Sequence, residues 1–226
     1  LQLDHVDLLY VHGVDSITPV KEIMRTLNDL VEAGYTRYVG VCNWPAWMVA
    51  KAQTIAEYEG WHGFKAMQYY YSVAGRDAEQ EVLPLARKEE LGFMPWSPLA
   101  GGFLSGKYTR DNEKAGDNSR RDNFDFPPVD KEYAYDIIDK MQEIATKHDV
   151  AVAEIALAWV RHQHGVTSTI IGAKNAEQLA SNLRSVEIEL SDEDLKVLND
   201  VSDKPTPYPG WMVERQDSNR FPHERD

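Results

Sequence analysis

The sequence contains a single cysteine, Cys42, among its 226 residues. One cysteine cannot form an internal disulfide, so a reducing compartment is expected and a disulfide-stapled secreted domain is excluded. No apolar run approaches the roughly 18 residues that a membrane span requires, and no signal peptide is recognisable. We therefore expect a cytoplasmic protein without a membrane partner.

Clusters of positive charge are also missing. The chain has 24 Lys and Arg against 37 Asp and Glu, which gives a formal net charge of −13. Nucleic-acid binding needs clustered basic side chains, so nucleic acid is not expected as a partner. The apolar content of 42% is sufficient for the core of one globular domain over residues 1–226.

Five short apolar runs each end at a polar or otherwise special residue, and a helical pattern follows each of them. The predicted strands are Val6–Val11, Tyr38–Cys42, Ala66–Tyr70, Phe93–Trp96 and Thr169–Gly172. Strands that are apolar on both faces are typical of a parallel sheet covered by helices, and the alternating order predicts an α/β fold. Parallel strands carry their chemistry at their carboxyl ends, so a site is expected there.

Helical spacing and capping residues predict the intervening helices. Three helices are predicted to begin near Pro19, at Asn175 and at Ser191. Four more are predicted to cover Pro45–Glu59, Asp77–Glu90, Lys131–His148 and Val152–His164. The polar stretch Thr109–Pro128 is predicted as a long loop, for which a functional lid and a disordered segment are both open interpretations. Residues 203–226 are predicted as an irregular tail rich in proline.

Two architectures are consistent with five strands. One is an open doubly wound sheet, and the other is a (β/α)8 barrel. A typical barrel needs eight strands and about 250 residues. Because the chain begins abruptly at Leu1, the hypothesis favoured is a barrel whose first three β/α units are absent from this chain.

The strand ends carry five motifs in a fixed order. They are Asp4–His12, Tyr38–Trp44, Gln68–Ser72, Pro95–Gly102 and Ile170–Leu179. With these motifs the chain resembles the aldo-keto reductases, barrel-shaped nicotinamide-dependent carbonyl reductases. It is most similar to the branch that includes bacterial stress-response reductases and the potassium-channel β-subunits.

The resemblance implies roles for the residues that follow the first three strands. His12 would be the active-site histidine, whose imidazole hydrogen-bonds the substrate carbonyl and stabilises developing oxyanion charge. Asn43 and Gln68 would hold the nicotinamide carboxamide, since each amide offers a donor and an acceptor. The family often has serine where this chain has Cys42, a weaker donor. Read singly, each of these side chains also fits a purely structural role.

Two further segments are implied to bind the rest of the cofactor. Trp96 would stack on the nicotinamide ring, although a core tryptophan is the alternative. Ser97, Leu99 and Gly101 would form the pyrophosphate-binding loop through backbone N–H groups.

The last motif is implied to contact the adenosine 2′-phosphate and adenine. Gly172 and Lys174 precede a helix whose N-terminus favours anions, and Asn182 matches an adenine-contacting asparagine. Lys174 is the candidate cation for the 2′-phosphate, so NADP is the expected cofactor. Gln178 replaces a common arginine and thereby removes a bidentate charge partner, which leaves NAD as the alternative. A local explanation also exists, because Asn175 and Gln178 have the spacing of a helix cap.

The expected function is NADP-dependent reduction of a small aldehyde or ketone, in a protein that is also a candidate homo-oligomer. The family uses Asp, Tyr, Lys and His, and of these four the chain supplies only His12. The alternative is therefore an inactive nucleotide-binding regulatory module like the channel β-subunits. No metal site is expected. The phosphate-loop pattern of Gly101–Lys107 is rejected, because Tyr108 replaces the Ser or Thr that would bind Mg²⁺.

Overall fold

The computed structural model describes residues 1–114, 116 and 120–220, and its centre is a four-stranded parallel sheet. The strands are β1 (Val6–Val11), β2 (Thr36–Cys42), β3 (Phe64–Tyr70) and β4 (Gly92–Trp96), in that spatial order. All pairings are parallel, so the four carboxyl ends lie at one edge. The predicted α/β class is confirmed. Residues 115 and 117–119 of the predicted loop and 221–226 of the predicted tail lie outside the described residues.

The predicted fifth strand, Thr169–Gly172, is wrong as a strand, although the segment does run beside β4. The N–H of Thr167 donates to the carbonyl of Phe93 at 2.8 Å, and the N–H of Ile170 donates to the carbonyl of Pro95 at 2.9 Å. The backbone groups of Phe93 and Pro95 both point towards this segment. Because proline has no N–H, Pro95 cannot donate the next bond of a regular ladder, and the pairing stays incomplete.

The helices follow the predicted pattern with three corrections, the first of which is a short helix, Arg120–Asn123, within the stretch predicted as a long loop. Their bounds are α1 Val20–Glu32, α2 Ala46–Glu59, α3 Val82–Lys88, α4 Arg120–Asn123, α5 Lys131–His148, α6 Val152–His162, α7 Ala176–Arg184, α8 Asp192–Val201 and α9 Gly210–Arg220. The helix expected over Asp77–Glu90 is broken into a 3₁₀ turn and α3, because Pro84 is tolerated only in a first helical turn. The tail expected to be irregular contains α9, which begins directly after Pro209.

The two faces of the sheet have different surroundings. The outer face packs against helices, and Val39, Val41 and Phe93 are fully buried there. On the inner face Tyr38 is 55% exposed, and Tyr10 is half-buried. The Tyr10 ring crosses Gly40, where a Cβ would lie 2.6 Å from its Cε1 atom. Within the described residues the inner face therefore remains partly open to solvent.

Helices α5 and α8 are joined by the buried carboxylate of Asp194. It accepts hydrogen bonds from Lys147 and His148, both at 2.9 Å. It also accepts from the backbone N–H of Ser191, the residue that caps α8. Burial raises the pKa of Asp194, but the hydrogen bonds outweigh burial and hold the pKa well below its ordinary value. Over the described residues, no helix has the length and apolar character needed to cross a membrane.

Candidate functional site

The predicted site residues from the four strands lie along one edge of the sheet. His12 directly follows β1 and is exposed, and Asn43 directly follows β2 and is also exposed. Gln68 pairs with Cys42 in the sheet, and Trp96 ends β4 opposite Tyr70. The parallel register thus brings the expected catalytic histidine and nicotinamide-binding residues to a single edge.

Cys42 joins the two amides of this edge. The Asn43 Nδ2 atom donates to the Cys42 sulfur at 3.1 Å, and the thiol donates to Gln68 Oε1 at 3.6 Å. Burial raises the pKa of Cys42, which keeps the thiol protonated and able to donate. The Trp96 Nε1 atom donates to Asn43 Oδ1 at 3.0 Å. Four predicted cofactor-binding residues therefore form one hydrogen-bonded cluster, which we call the edge cluster.

The backbone turns sharply where β2 and β4 end. Asn43 and Ser97 both have left-handed backbones, with φ of +58° and +53°. Such angles are uncommon outside glycine and are often found at functional sites. After β4 the Gly101 N–H donates to Ser97 Oγ at 2.9 Å, and the Ala100 N–H donates to the Ser97 carbonyl at 2.8 Å. Both backbone amides therefore bond to Ser97 within the predicted pyrophosphate loop. Leu99, which lies between these residues in the sequence, is half-buried.

Two aromatic residues that the sequence did not single out extend the site. The Phe126 ring stacks on Trp96 with centroids 5.7 Å apart and an interplanar angle of 11°. The Phe124 ring lies 5.6 Å from Phe126, and the two are 57% and 41% exposed. The Phe-Asp-Phe sequence within an otherwise polar loop was a signal that could have drawn attention to them.

Buried Arg121 links the loop that carries Phe124 and Phe126 to the segment after β4 by hydrogen bonds. Its Nη1 atom donates to the carbonyls of Ala100 at 2.8 Å and Pro127 at 3.1 Å. A Cβ on Gly101 would lie 2.4 Å from the Phe126 carbonyl oxygen. The loop therefore crosses the predicted pyrophosphate segment at a contact that only glycine allows.

The predicted 2′-phosphate segment lies beside the end of β4, as the bond from Ile170 to Pro95 indicates. Buried Asn182 donates to the Gly172 carbonyl at 3.2 Å. The local explanation is also present: Asn175 caps α7 by accepting from the Gln178 N–H at 2.8 Å. The Gln178 side chain accepts from the backbone N–H of exposed Lys174 at 2.9 Å. Contacts of these residues with phosphate or adenine stay predictions.

The edge cluster offers amide donors and acceptors beside a planar indole, an arrangement suited to a ring that bears a carboxamide. Burial raises the pKa of both nearby phenols, Tyr10 and Tyr70. Neither phenol therefore has the lowered pKa of a proton-donating tyrosine. Among the described residues there is no group of three or more His, Cys, Asp or Glu that could hold a metal ion.

Comparison with known proteins points to one family. The family model described as "Aldo/keto reductase family" matches residues 1–203. The chain is 38% identical over 201 residues to the uncharacterized oxidoreductase YrpG of Bacillus subtilis, an alignment that covers 89% of this chain and 60% of YrpG.

Two fungal proteins are also similar. A putative aryl-alcohol dehydrogenase of Schizosaccharomyces pombe is 35% identical over 87% of this chain and 55% of its own length. The norsolorinic acid reductase of Aspergillus flavus is 34% identical over 89% of this chain and 49% of its own length. The chain thus spans about half to three fifths of the length of these three relatives, each of which is named as an oxidoreductase, a dehydrogenase or a reductase. It belongs to the aldo/keto reductase family.

Proposed function

We propose that this chain forms the carboxyl-terminal part of a (β/α)8 barrel that binds NADP and reduces aldehydes or ketones to alcohols. The edge cluster of Cys42, Asn43, Gln68 and Trp96 carries the proposal, because its amides and indole converge at the functional edge of a parallel sheet. The partly open inner face supports the barrel, in which further strands would cover the face that carries Tyr38.

The donor set fits a nicotinamide. Asn43 uses its oxygen for Trp96 and one amide hydrogen for Cys42, which leaves its second amide hydrogen for a ligand carbonyl. Bound NADPH supplies a hydride. Lys174, just before the N-terminus of α7, would hold the 2′-phosphate by charge. In this proposal the chain's own residues bind and orient the cofactor.

The substrate would be held by His12. Its imidazole would donate a hydrogen bond to the carbonyl oxygen and stabilise the negative charge that develops there. Because one relative is named as a putative aryl-alcohol dehydrogenase, we place aryl aldehydes first among the substrates to test. The proposed compartment remains the cytoplasm.

The second candidate is a nucleotide-binding module without turnover. It rests on the edge cluster, whose hydrogen-bonding groups can hold a nicotinamide without taking part in proton transfer. Both candidates require cofactor binding, and only the reductase requires aldehyde-dependent NADPH oxidation. Aldehyde-dependent oxidation of NADPH, measured on the same preparation that binds the cofactor, therefore separates them.

A fluorescence titration tests the cofactor site directly. We expect micromolar NADPH to quench tryptophan emission, and Trp96→Phe to remove most of the quenching. Trp61→Phe is the matched control, because Trp61 precedes β3 and so lies near the opposite edge of the sheet. Lys174→Ala is expected to weaken NADPH binding about 10-fold, equal to ~1.4 kcal/mol, while NADH binding changes little. An absence of quenching at millimolar NADPH contradicts the proposal.

A further inference from the structure

Trp96 already has an aromatic partner in this structure. The Phe126 ring lies nearly parallel to the indole, with an interplanar angle of 11° and centroids 5.7 Å apart. The other aromatic neighbour, Tyr70, is tilted by 39° at 5.3 Å and belongs to the adjacent strand. Of the two neighbours, only Phe126 comes from a loop.

A third ring does not fit between Trp96 and Phe126. Inserting a planar ring between two parallel rings requires them to lie roughly 7 Å apart, twice the van der Waals stacking distance of about 3.5 Å. The two ring centroids are 5.7 Å apart, and the distance between the ring planes cannot exceed this value, so the gap is too short. A ligand ring that stacks on this face of Trp96 therefore has to displace Phe126.

Phe126 is able to move without disturbing the fold. Its side chain is 41% exposed, so rotation does not open a buried cavity. The backbone beside it is held, because Arg121 donates to the Pro127 carbonyl at 3.1 Å and the Phe126 carbonyl lies against Gly101. The change that frees Trp96 is thus confined to one side chain.

We propose that Phe126 is an autoinhibitory ring, which occupies the face of Trp96 on which nicotinamide stacks and is displaced when the cofactor binds. The identity of nicotinamide as the displacing ring rests on the proposed function. The contact itself rests on the stacked geometry. An aromatic pair of this kind would weaken cofactor binding about 2- to 12-fold.

The first experiment uses the ring alone. The probe is 1-methylnicotinamide, and the readout is its quenching of the emission of Trp96, obtained by subtracting the signal of Trp96→Phe. We expect Trp96 to be poorly quenched in the unchanged chain and well quenched in Phe126→Ala. Phe126→Leu, which keeps apolar bulk without a ring, should behave in the same way. Phe124→Leu is the matched control, since it removes an exposed ring from the same loop, keeps apolar bulk beside Phe126 and leaves both rings of the Trp96–Phe126 stack.

The second experiment measures the dissociation constant of NADPH in the same variants. We expect Phe126→Ala to bind NADPH about 2- to 12-fold more tightly than the unchanged chain. Equal or weaker binding overturns the inference and makes Phe126 a neutral or supporting wall of the pocket. Equal access of the probe to Trp96 with and without Phe126 overturns it as well.

The two experiments separate the inference from the proposed function. If no variant binds NADPH but the probe reaches Trp96 only without Phe126, the cofactor proposal fails and the occluding contact stands. If NADPH binds the unchanged chain and Phe126→Ala alike, the cofactor proposal stands and the inference fails.

Discussion

At Gly101 the loop that carries Phe126 lies directly against the segment that follows β4. Its backbone is left-handed, with φ of +68°, and a Cβ would lie 2.4 Å from the Phe126 carbonyl oxygen. Gly101→Ala therefore adds two separate penalties. The left-handed backbone costs an L-residue about 1–2 kcal/mol, and the overlap with the loop costs about 1–3 kcal/mol more.

Gly102 provides a control for the first penalty alone. Its φ is +97°, and a Cβ there would meet nothing within 4 Å. Since both glycines have left-handed backbones, Gly102→Ala and Gly101→Ala carry comparable backbone strain. The difference between the two variants is therefore due to the contacts at Gly101, of which that with the Phe126 carbonyl is the shortest, and we expect it to be about 1–3 kcal/mol.

Thermal unfolding followed by circular dichroism measures this difference. For a chain of this size 1 kcal/mol shifts the melting temperature by about 2–4 °C, so Gly101→Ala should melt about 2–12 °C below Gly102→Ala. Near-ultraviolet dichroism should show a loss of the Trp96–Phe126 signal in Gly101→Ala alone. Equal melting temperatures, or a lower one for Gly102→Ala, would refute the close crossing of loop and segment.

Four other substitutions, at three places, test packing away from the site by urea denaturation. Arg184→Ala should cost about 3 kcal/mol, because it leaves the buried Glu154 carboxylate without its cation at 2.7 Å; Glu154→Gln leaves no buried charge and should cost less. Folding lowers the pKa of Asp194, so its stabilisation is present above the ordinary carboxyl pKa near about 4 and is lost as pH falls through the folded pKa. The loss of unfolding free energy caused by Asp194→Asn should therefore become smaller in acid. Tyr133→Phe should cost about 1 kcal/mol, since its hydroxyl donates to the Ser202 carbonyl at 2.7 Å.

The edge cluster followed from the sequence because the relevant information is local. Short apolar runs predicted parallel strands, and parallel strands bring their carboxyl ends to one edge. Asn43, Gln68 and Trp96 were therefore expected to converge, and the structure joins them through Cys42. Helix starts at Asn175 and Ser191 followed in the same way from capping residues.

The features that the sequence did not predict depend on contacts between distant segments. The stack of Phe126 on Trp96 exists because Arg121 ties the loop to the Ala100 carbonyl, and no periodicity encodes such a path. The fifth apolar run had the composition of a strand, but its pairing was limited by Pro95 on the neighbouring strand. A pattern within one segment does not report a missing donor in another.

The buried Cys42 sulfur, which lies between the Asn43 and Gln68 amides, also provides a probe of local opening that is already part of the chain. Cys42 is the one thiol in the sequence and is 1% exposed, so a thiol-reactive reagent attacks it only while the end of β2 is transiently open. The rate of labelling then measures how often that strand end opens. Any ligand that seats against Asn43 and Gln68 slows the reaction in proportion to its occupancy, without a spectroscopic tag or an engineered residue.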